Sequence, residues 1–365
     1  MYRDHTIGVV IPAYNEKGFI GDVIREMPEY VDAMYVVDDQ STDGTWDEIL
    51  EAAQDDSGVT DEQIVRTDTQ ADEGTAMQHT ERQIRTDGGS LLTQRAEVHD
   101  AVGRVFPIKH RENMGAGGAI KTGYLAALED EVDITATVDG DGQMDLSQMT
   151  RLLDPIVEDE ADYAKANRLL YKEYRQGMPP FRFFGNSILT FLTKIASGYW
   201  KTMDPQNGYT AISHYALDNV GIGAMYEYYG YCNDILVKLN AKGMRVADVA
   251  MPAVYGDEES SIDYSTYIRK VSGMLLKNFL WRLKVKYLVL DFHPLALFYF
   301  FGAGTTAVGI LGGLWAIYTN IVYGNQLFVR ASASMMLFTM GSMFLMFAML
   351  FDMQVNKDSE VQIHE

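Results

Sequence analysis

The sequence predicts an α/β architecture, a mostly parallel sheet flanked by helices, followed by a C-terminal hairpin of two transmembrane helices. Three apolar runs end in polar residues of ligand type: 7–14 (IGVVIPAY), 34–39 (MYVVDD) and 134–145 (ITATVDGDGQMD). Buried parallel strands read this way when they deliver side chains to the carboxyl edge of an open sheet. Residues 294–318 and 331–351 are apolar stretches long enough to cross a hydrocarbon core as helices.

The first run breaks at Pro12 and leads into Asn15, Glu16 and a helical pattern. The second is followed by Gln40-Ser41-Thr42-Asp43-Gly44-Thr45, where Ser41 or Asp43 is expected to cap a helix beginning near Trp46. Capping and turn formation also account for Asp38 and Asn15. The third run delivers Asp139 and Asp141, two hard oxygen ligands, with Gln143 adding a neutral oxygen on the same turn. This spacing suits Mg²⁺ or Mn²⁺, which keep sites free for water and diphosphate oxygens; an ordinary acidic turn is the alternative. Residues 113–119 (NMGAGGA) open a helix running to about Glu129. Their glycines either bring backbone close to an anionic ligand or make a tight helix start packed on the sheet. No GxGxxG follows the first strand, which argues against a dinucleotide site. Residues 163–169 (YAKANRL) form a further strand ending at Arg168, whose planar fork suits two phosphate oxygens unless it is a plain surface arginine.

In combination and order, Pro12-Ala13-Tyr14-Asn15-Glu16, then 38–45 (DDQSTDGT), then Asp139-Gly140-Asp141 resemble family 2 glycosyltransferases of the Rossmann-like GT-A fold, over roughly residues 6–290. Within that family the chain looks most like the polyprenyl-phosphate hexose synthases, such as dolichyl-phosphate mannose or glucose synthase. The resemblance implies a UDP- or GDP-hexose donor, a polyprenyl (dolichyl) phosphate acceptor, Mg²⁺ or Mn²⁺, and transfer with inversion. It puts Pro12, Tyr14, Glu16 and Asp39 around the base and ribose of the donor. Asp139, Gly140 and Asp141 would meet its diphosphate, with Asp141 and Gln143 on the metal. Arg168 would close over phosphate, and 204–209 (DPQNGY) would be the acceptor-side segment, with Gln206 as its candidate site residue.

The resemblance breaks at residues 254–262 (VYGDEESSI), which lack the basic residue usual in dolichyl-phosphate mannose synthases. Either metal or donor orders this acidic loop, or Arg168, Lys201, Arg175 and Arg182 neutralise the phosphate. A second function of the same family is extension of a lipid-linked glycan through a sugar hydroxyl. That reaction needs a base, for which Asp234 is the candidate. A third, of another class, is a catalytically silent nucleotide-sugar binder tethered to the membrane.

Composition bounds these readings. The 365 residues carry a formal net charge of -21, which argues against nucleic acid as a partner. With 47% hydrophobic residues the acidity is not a sign of disorder; it resembles adaptation to high salt, as in a halophilic archaeon. The single Cys232 excludes an intramolecular disulfide, and the seven histidines show no HExxH spacing. No signal peptide precedes Ile7, and Arg269, Lys270, Lys277, Arg282, Lys284 and Lys286 precede the first apolar stretch. Both features put the catalytic domain on the cytoplasmic side. The expected plan is a catalytic domain over 1–260, with a polar insertion at 55–104 and an interfacial helix at 181–203. A second interfacial helix at 261–293, the hairpin at 294–351 and a cytoplasmic tail at 352–365 complete it. Both interfacial segments also fit packing against the soluble core. On this plan the hairpin is a separable anchor, and a chain cut after His293 keeps its donor site.

Overall fold

The computed structural model describes residues 1–57, 91–169, 171, 180–252, 264–324 and 326–363. Its strands are β1 (Ile7–Ala13), β2 (Ala33–Asp38), β3 (Ala96–Val98), β4 (Val105–His110), β5 (Ile134–Thr137), β6 (Tyr163–Asn167), β7 (Thr210–Ser213), β8 (Val246–Ala250) and β9 (Glu360–Ile363). They form one sheet in the order β3-β4-β2-β1-β5-β7-β6-β8-β9. Among these strands, β3 and β7 run antiparallel to the rest. The helices are α1 (Ile20–Arg25), α2 (Thr45–Ser57), α3 (Leu91–Arg95), α4 (Ala116–Glu129), α5 (Met149–Val157), α6 (Pro180–Ser197), α7 (His214–Asn219), α8 (Tyr231–Ala241), α9 (Tyr264–Lys284), α10 (Leu295–Tyr323) and α11 (Leu327–Val355).

The continuous apolar runs exist because helices cover both sheet faces. In β1, Ile7, Val9 and Ile11 enter one hydrophobic cluster while Val10, pointing the other way, enters the second. α4 packs onto Val10 through Gly123, where any Cβ would overlap the valine side chain. We therefore expect Gly123→Val to lower the unfolding temperature sharply, with an overpacking cost of about 1–3 kcal/mol or more.

The expected insertion is smaller than 55–104. Residues 55–57 complete α2, 91–95 form α3, and β3 pairs with β4. Arg104 ties this region down by donating to Asp56 at 2.7 Å, to the Pro28 carbonyl at 2.6 Å and to the Met27 carbonyl at 2.9 Å. A three-residue strand is too short to show a period in sequence. Residues 58–90 of the expected insertion lie outside the described residues.

α10 and α11 each span 29 residues, about 44 Å at 1.5 Å per residue, against a hydrocarbon core of about 30 Å. Their seam is made of small residues at a spacing of seven: Gly302, Gly309 and Ala316 on one helix, Ser334, Gly341 and Ala348 on the other. A Cβ at Gly309 would collide with Phe338 backbone, so glycine is what lets the helices approach. The outer faces leave Leu311, Ile321, Phe328 and Met336 exposed, the opposite of a soluble core helix.

Both ends of the hairpin meet the α/β body. Asp352 is wholly buried and accepts from the Arg282 guanidinium at 2.8 and 3.0 Å and from the Tyr287 hydroxyl at 2.7 Å. Asn356 continues the cluster by contacting Asn240 at 2.9 Å. Beyond it β9 adds to the sheet edge beside β8. Residues 352–363 are therefore not a free tail, and the hairpin is not a separable anchor: a cut after His293 also removes Asp352, Asn356 and an edge strand. An isolated strand of four residues after a long apolar helix carries no signal of its partner. Asp352→Ala, which strands a buried guanidinium, is expected to cost about 3–5 kcal/mol in equilibrium unfolding.

The two segments expected at the interface have two faces each. Leu189 and Ala196 of α6 pack with Val271 and Leu275 of α9 and with Val237 of α8. On the outside Ile188, Phe191, Leu276, Leu280 and Trp281 remain exposed and lead towards Phe292 and the hairpin.

Candidate active site

Parallel strands put their carboxyl ends on one rim, and the candidate site lies there. β5 ends at Thr137 and leads through Val138 to Asp139 and Asp141; β6 leads to Arg168; β8 ends beside Met251 and Pro252. Because β7 runs the other way, the segment that enters it, residues 204–209, reaches the same rim. The result is one cleft with two lobes of about 90 and 270 Å³. Asp139, Asp141, Gln143, Met144, Arg168 and Asn207 line both. Gln206, Gly208, Tyr229, Tyr231, Asn233 and Tyr267 line the larger lobe.

The turn after β5 is shaped by close approach. A Cβ at Gly140 would fall 2.8 Å from the Pro12 carbonyl oxygen, and Gly142 has φ 72°. Asp141 accepts from the Gln143 backbone N–H at 3.0 Å, which folds the amide side chain back into the cleft. Burial, and then the neighbouring Asp141 carboxylate, push the Asp139 carboxyl up to about 7 against the pull of Arg168. Carboxylates crowded in this way favour a cation between them and an anionic ligand. Among the described residues no group of three His, Cys, Asp or Glu side chains converges on one point. An oxygen-only pair such as Asp141 and Gln143 fits an ion of the Mg²⁺ class, which takes its remaining ligands from water and diphosphate.

Arg168 is held by Asp204, which accepts its Nε at 2.7 Å, its Nη2 at 3.0 Å and its backbone N–H at 3.1 Å. Burial pushes the Asp204 carboxyl up, but Arg168, helped by Lys165, holds it below the usual carboxylate range. Such a bidentate pair fixes the guanidinium plane of an arginine that lines both lobes of the cleft. Behind it Lys165 and Asp248 make a second buried ion pair at 2.6 Å, and Asn167 donates to Asp248 at 2.6 Å. Sequence reading placed Asp204 on the acceptor side without its task of holding Arg168; a carboxylate 36 positions away has no local signature.

The other expected residues lie around this cleft rather than in it. Pro12, Tyr14, Glu16 and Asp39 stand at the adjoining ends of β1 and β2. Asp39 is buried and accepts from His110 Nδ1 at 2.7 Å, Met114 N–H at 2.7 Å and Gly115 N–H at 2.8 Å. The glycine-rich helix start is thus bonded to the carboxylate of its own sheet. It also packs against another segment: a Cβ at Gly117 would overlap the Tyr226 carbonyl, and Gly118 N–H donates to the Glu227 carbonyl at 2.8 Å. Asp43 accepts from Thr45 N–H at 3.0 Å and Asp38 from Ser41 N–H at 3.2 Å, both turn-forming, whereas Asn15, accepting from Thr42 N–H at 2.9 Å, and Asp43, accepting from Lys17 N–H at 3.2 Å, tie the loop after β1 to the loop after β2. Asp234 does not line the cleft. Its oxygens accept from Lys238 at 2.7 Å, Asn278 at 2.6 Å and the Tyr226 backbone at 2.9 Å. Cys232 is buried, as expected of a small core residue. Arg175, residues 254–262 and the side chain of Arg182 lie outside the described residues.

Comparison with known proteins adds four findings. The chain matches the profile of Glycosyl transferase family 2 over residues 8–73 and 84–221. It is 26% identical to the UDP-N-acetylglucosamine--dolichyl-phosphate N-acetylglucosaminyltransferase of Methanococcus voltae over 253 residues, 69% of this chain and 87% of that protein. Among solved structures it is similar to glucosyl-3-phosphoglycerate synthase from Mycobacterium tuberculosis bound to uridine diphosphate, at 16% identity and TM-score 0.47, covering 77% of this chain and 81% of that one. It is also similar to a mannosyltransferase from Pyrobaculum calidifontis in complex with GDP-Man and Mn²⁺, at 13% identity and TM-score 0.41, covering 97% and 88%. The family profile spans more than half of the chain, including the strand ends that build the cleft from Asp139 to Arg168, and the protein belongs to glycosyltransferase family 2, an enzyme of the GT-A fold.

Proposed function

We propose that this enzyme transfers a hexose from a UDP- or GDP-linked donor to polyprenyl (dolichyl) phosphate at the cytoplasmic face of a membrane, with inversion, supplying protein glycosylation or surface glycans. The observation that carries the reading is the joining of a cleft containing two carboxylates and a fixed arginine to a two-helix apolar hairpin in one body. A lipid phosphate is the acceptor such a body is built to meet. The dolichyl-phosphate transferase of Methanococcus voltae supports it as a relative. In this topology both ends of the hairpin are cytoplasmic and the connection within 319–330 faces the other side, in keeping with the cations before the first span. The apolar outer faces of α6 and α9 lie at the headgroups.

A phosphate monoester has its second pKa near about 6, so the acceptor arrives ionised and needs no general base. The task of the protein is then alignment of two anions. Asp139 and Gly140 orient the donor diphosphate, and Arg168 brings the acceptor oxygen in line with the anomeric carbon. Gln206 offers its amide to the acceptor side of the cleft. Pro12, Tyr14, Glu16 and Asp39 receive base and ribose. Asp141 and Gln143 would hold Mg²⁺ or Mn²⁺, which supplies stabilisation of charge on the departing diphosphate.

Two experiments test this division. Stripping divalent ions with EDTA is expected to abolish transfer, and Mg²⁺ or Mn²⁺ to restore it; full activity in excess chelator contradicts the assignment. Asp234→Asn is expected to lower stability, because three donors lose a charged acceptor, yet to keep turnover per folded molecule. A loss of about a thousandfold at unchanged donor affinity would instead identify Asp234 as a base acting on a hydroxyl acceptor.

A further inference from the structure

We propose that Glu360, on the strand that follows the membrane hairpin, is a positioning residue for Arg168, so that the chain beyond the membrane completes the catalytic cleft. The inference rests on the phosphate-binding reading of Arg168. Residues 200–204 form a strap beside β6 and β8: two buried carboxylates, Glu360 and Asp248, pin it in succession, and a third, Asp204, ends it. Glu360, level with Val246 in the sheet, accepts from the backbone N–H groups of Trp200 at 2.8 Å, Lys201 at 2.6 Å and Thr202 at 2.9 Å. Asp248 accepts from Met203 N–H at 3.1 Å, while Lys165, its ion-pair partner, donates to the Met203 carbonyl. Asp204 then grips Arg168 at the rim.

The strap has no strand or helix of its own, so its backbone donors are satisfied by these side chains. A carboxylate that takes three N–H groups makes charge-assisted bonds, and few other residues can replace it. Glutamine presents one acceptor and one donor to the same three N–H groups and must leave at least one of them unpaired. Loss of the lowest pin lets the strap slide along the sheet, and Asp204 carries that displacement to the guanidinium. Asp139 and Asp141 follow β5 and make no hydrogen bond to the strap among the described residues, so donor affinity is expected not to depend on it.

The test uses the full-length protein in membranes, with short polyprenyl phosphate and nucleotide sugar, and compares Glu360→Gln, Arg168→Lys and the double variant. Glu360→Gln is expected to lower kcat by roughly tenfold, as a misplacement of well under an ångström does, with the KM for donor unchanged. In the Arg168→Lys background the same change is expected to cost less than about twofold, because the geometry it protects is already lost. Gln362→Ala, on the same strand but reaching only the Lys201 carbonyl at 3.4 Å, is expected to behave as wild type. If Glu360→Gln does not fold, the cycle is run with Glu360→Asp, which keeps the charge and is expected to recover part of the rate. Equal losses in both backgrounds, or full activity of the Glu360 variants beside an impaired Arg168→Lys, overturn the inference alone. Full activity of Arg168→Lys overturns the reading of Arg168 and this inference with it.

Discussion

Asp141→Asn is expected to reduce turnover by roughly 10²–10³-fold, the range seen when one preorganised electrostatic group is removed from a reacting centre. The fold should survive, because asparagine keeps an oxygen to accept the Gln143 N–H that closes the turn. What disappears is the negative charge that, with Gln143, would hold the divalent ion against the donor. Removing it also takes away the carboxylate that, after burial, helps push Asp139 up to about 7, so the variant should be at least as stable as wild type. Steady-state kinetics over a Mg²⁺ titration, with a thermal melt on the same sample, checks both halves. Wild-type kcat with unchanged metal dependence would mean that Asp141 shapes the turn and nothing more.

Arg168→Lys is expected to cost roughly a hundredfold in kcat with little change in unfolding temperature. Lysine keeps a positive charge near buried Asp204 but cannot hold the carboxylate with two N–H groups and still offer another edge to phosphate. Arg168→Ala should lose as much activity and also destabilise the protein by about 3–5 kcal/mol, since it leaves Asp204 buried without its main partner. Comparing the two variants by activity and by denaturant unfolding separates the chemical role from the structural one. Equal activity of Arg168→Lys and wild type would remove the arginine from the phosphate site.

The parts legible in the sequence are those where local pattern and tertiary role coincide. The runs 7–14, 34–39 and 134–145 read as buried strands because both sheet faces are covered, and their last residues read as ligands because the chain turns there. The hairpin is legible because each of its helices is a long apolar run. What stayed hidden depends on contacts between distant segments. Arg168 was visible as a phosphate-type residue, yet its partner Asp204 follows a long intervening helix. Asp39 reads as ligand-facing, and in the fold its carboxylate anchors the glycine-rich helix start. The return of residues 360–363 to the sheet is invisible for the same reason: Glu360 looks like any surface glutamate until the strap is built beside it.

The central claim is that the acceptor is a lipid phosphate, and one measurement meets it directly. Purified full-length enzyme is incubated with Mg²⁺ and radiolabelled UDP- and GDP-hexoses, with and without polyprenyl phosphate, and the organic phase is analysed. The account predicts label in the organic phase only when polyprenyl phosphate is present, as a mild-acid-labile glycosyl phosphate, with one equivalent of nucleoside diphosphate released per sugar transferred. Label passing to a glycan hydroxyl, or turnover indifferent to polyprenyl phosphate, would contradict it.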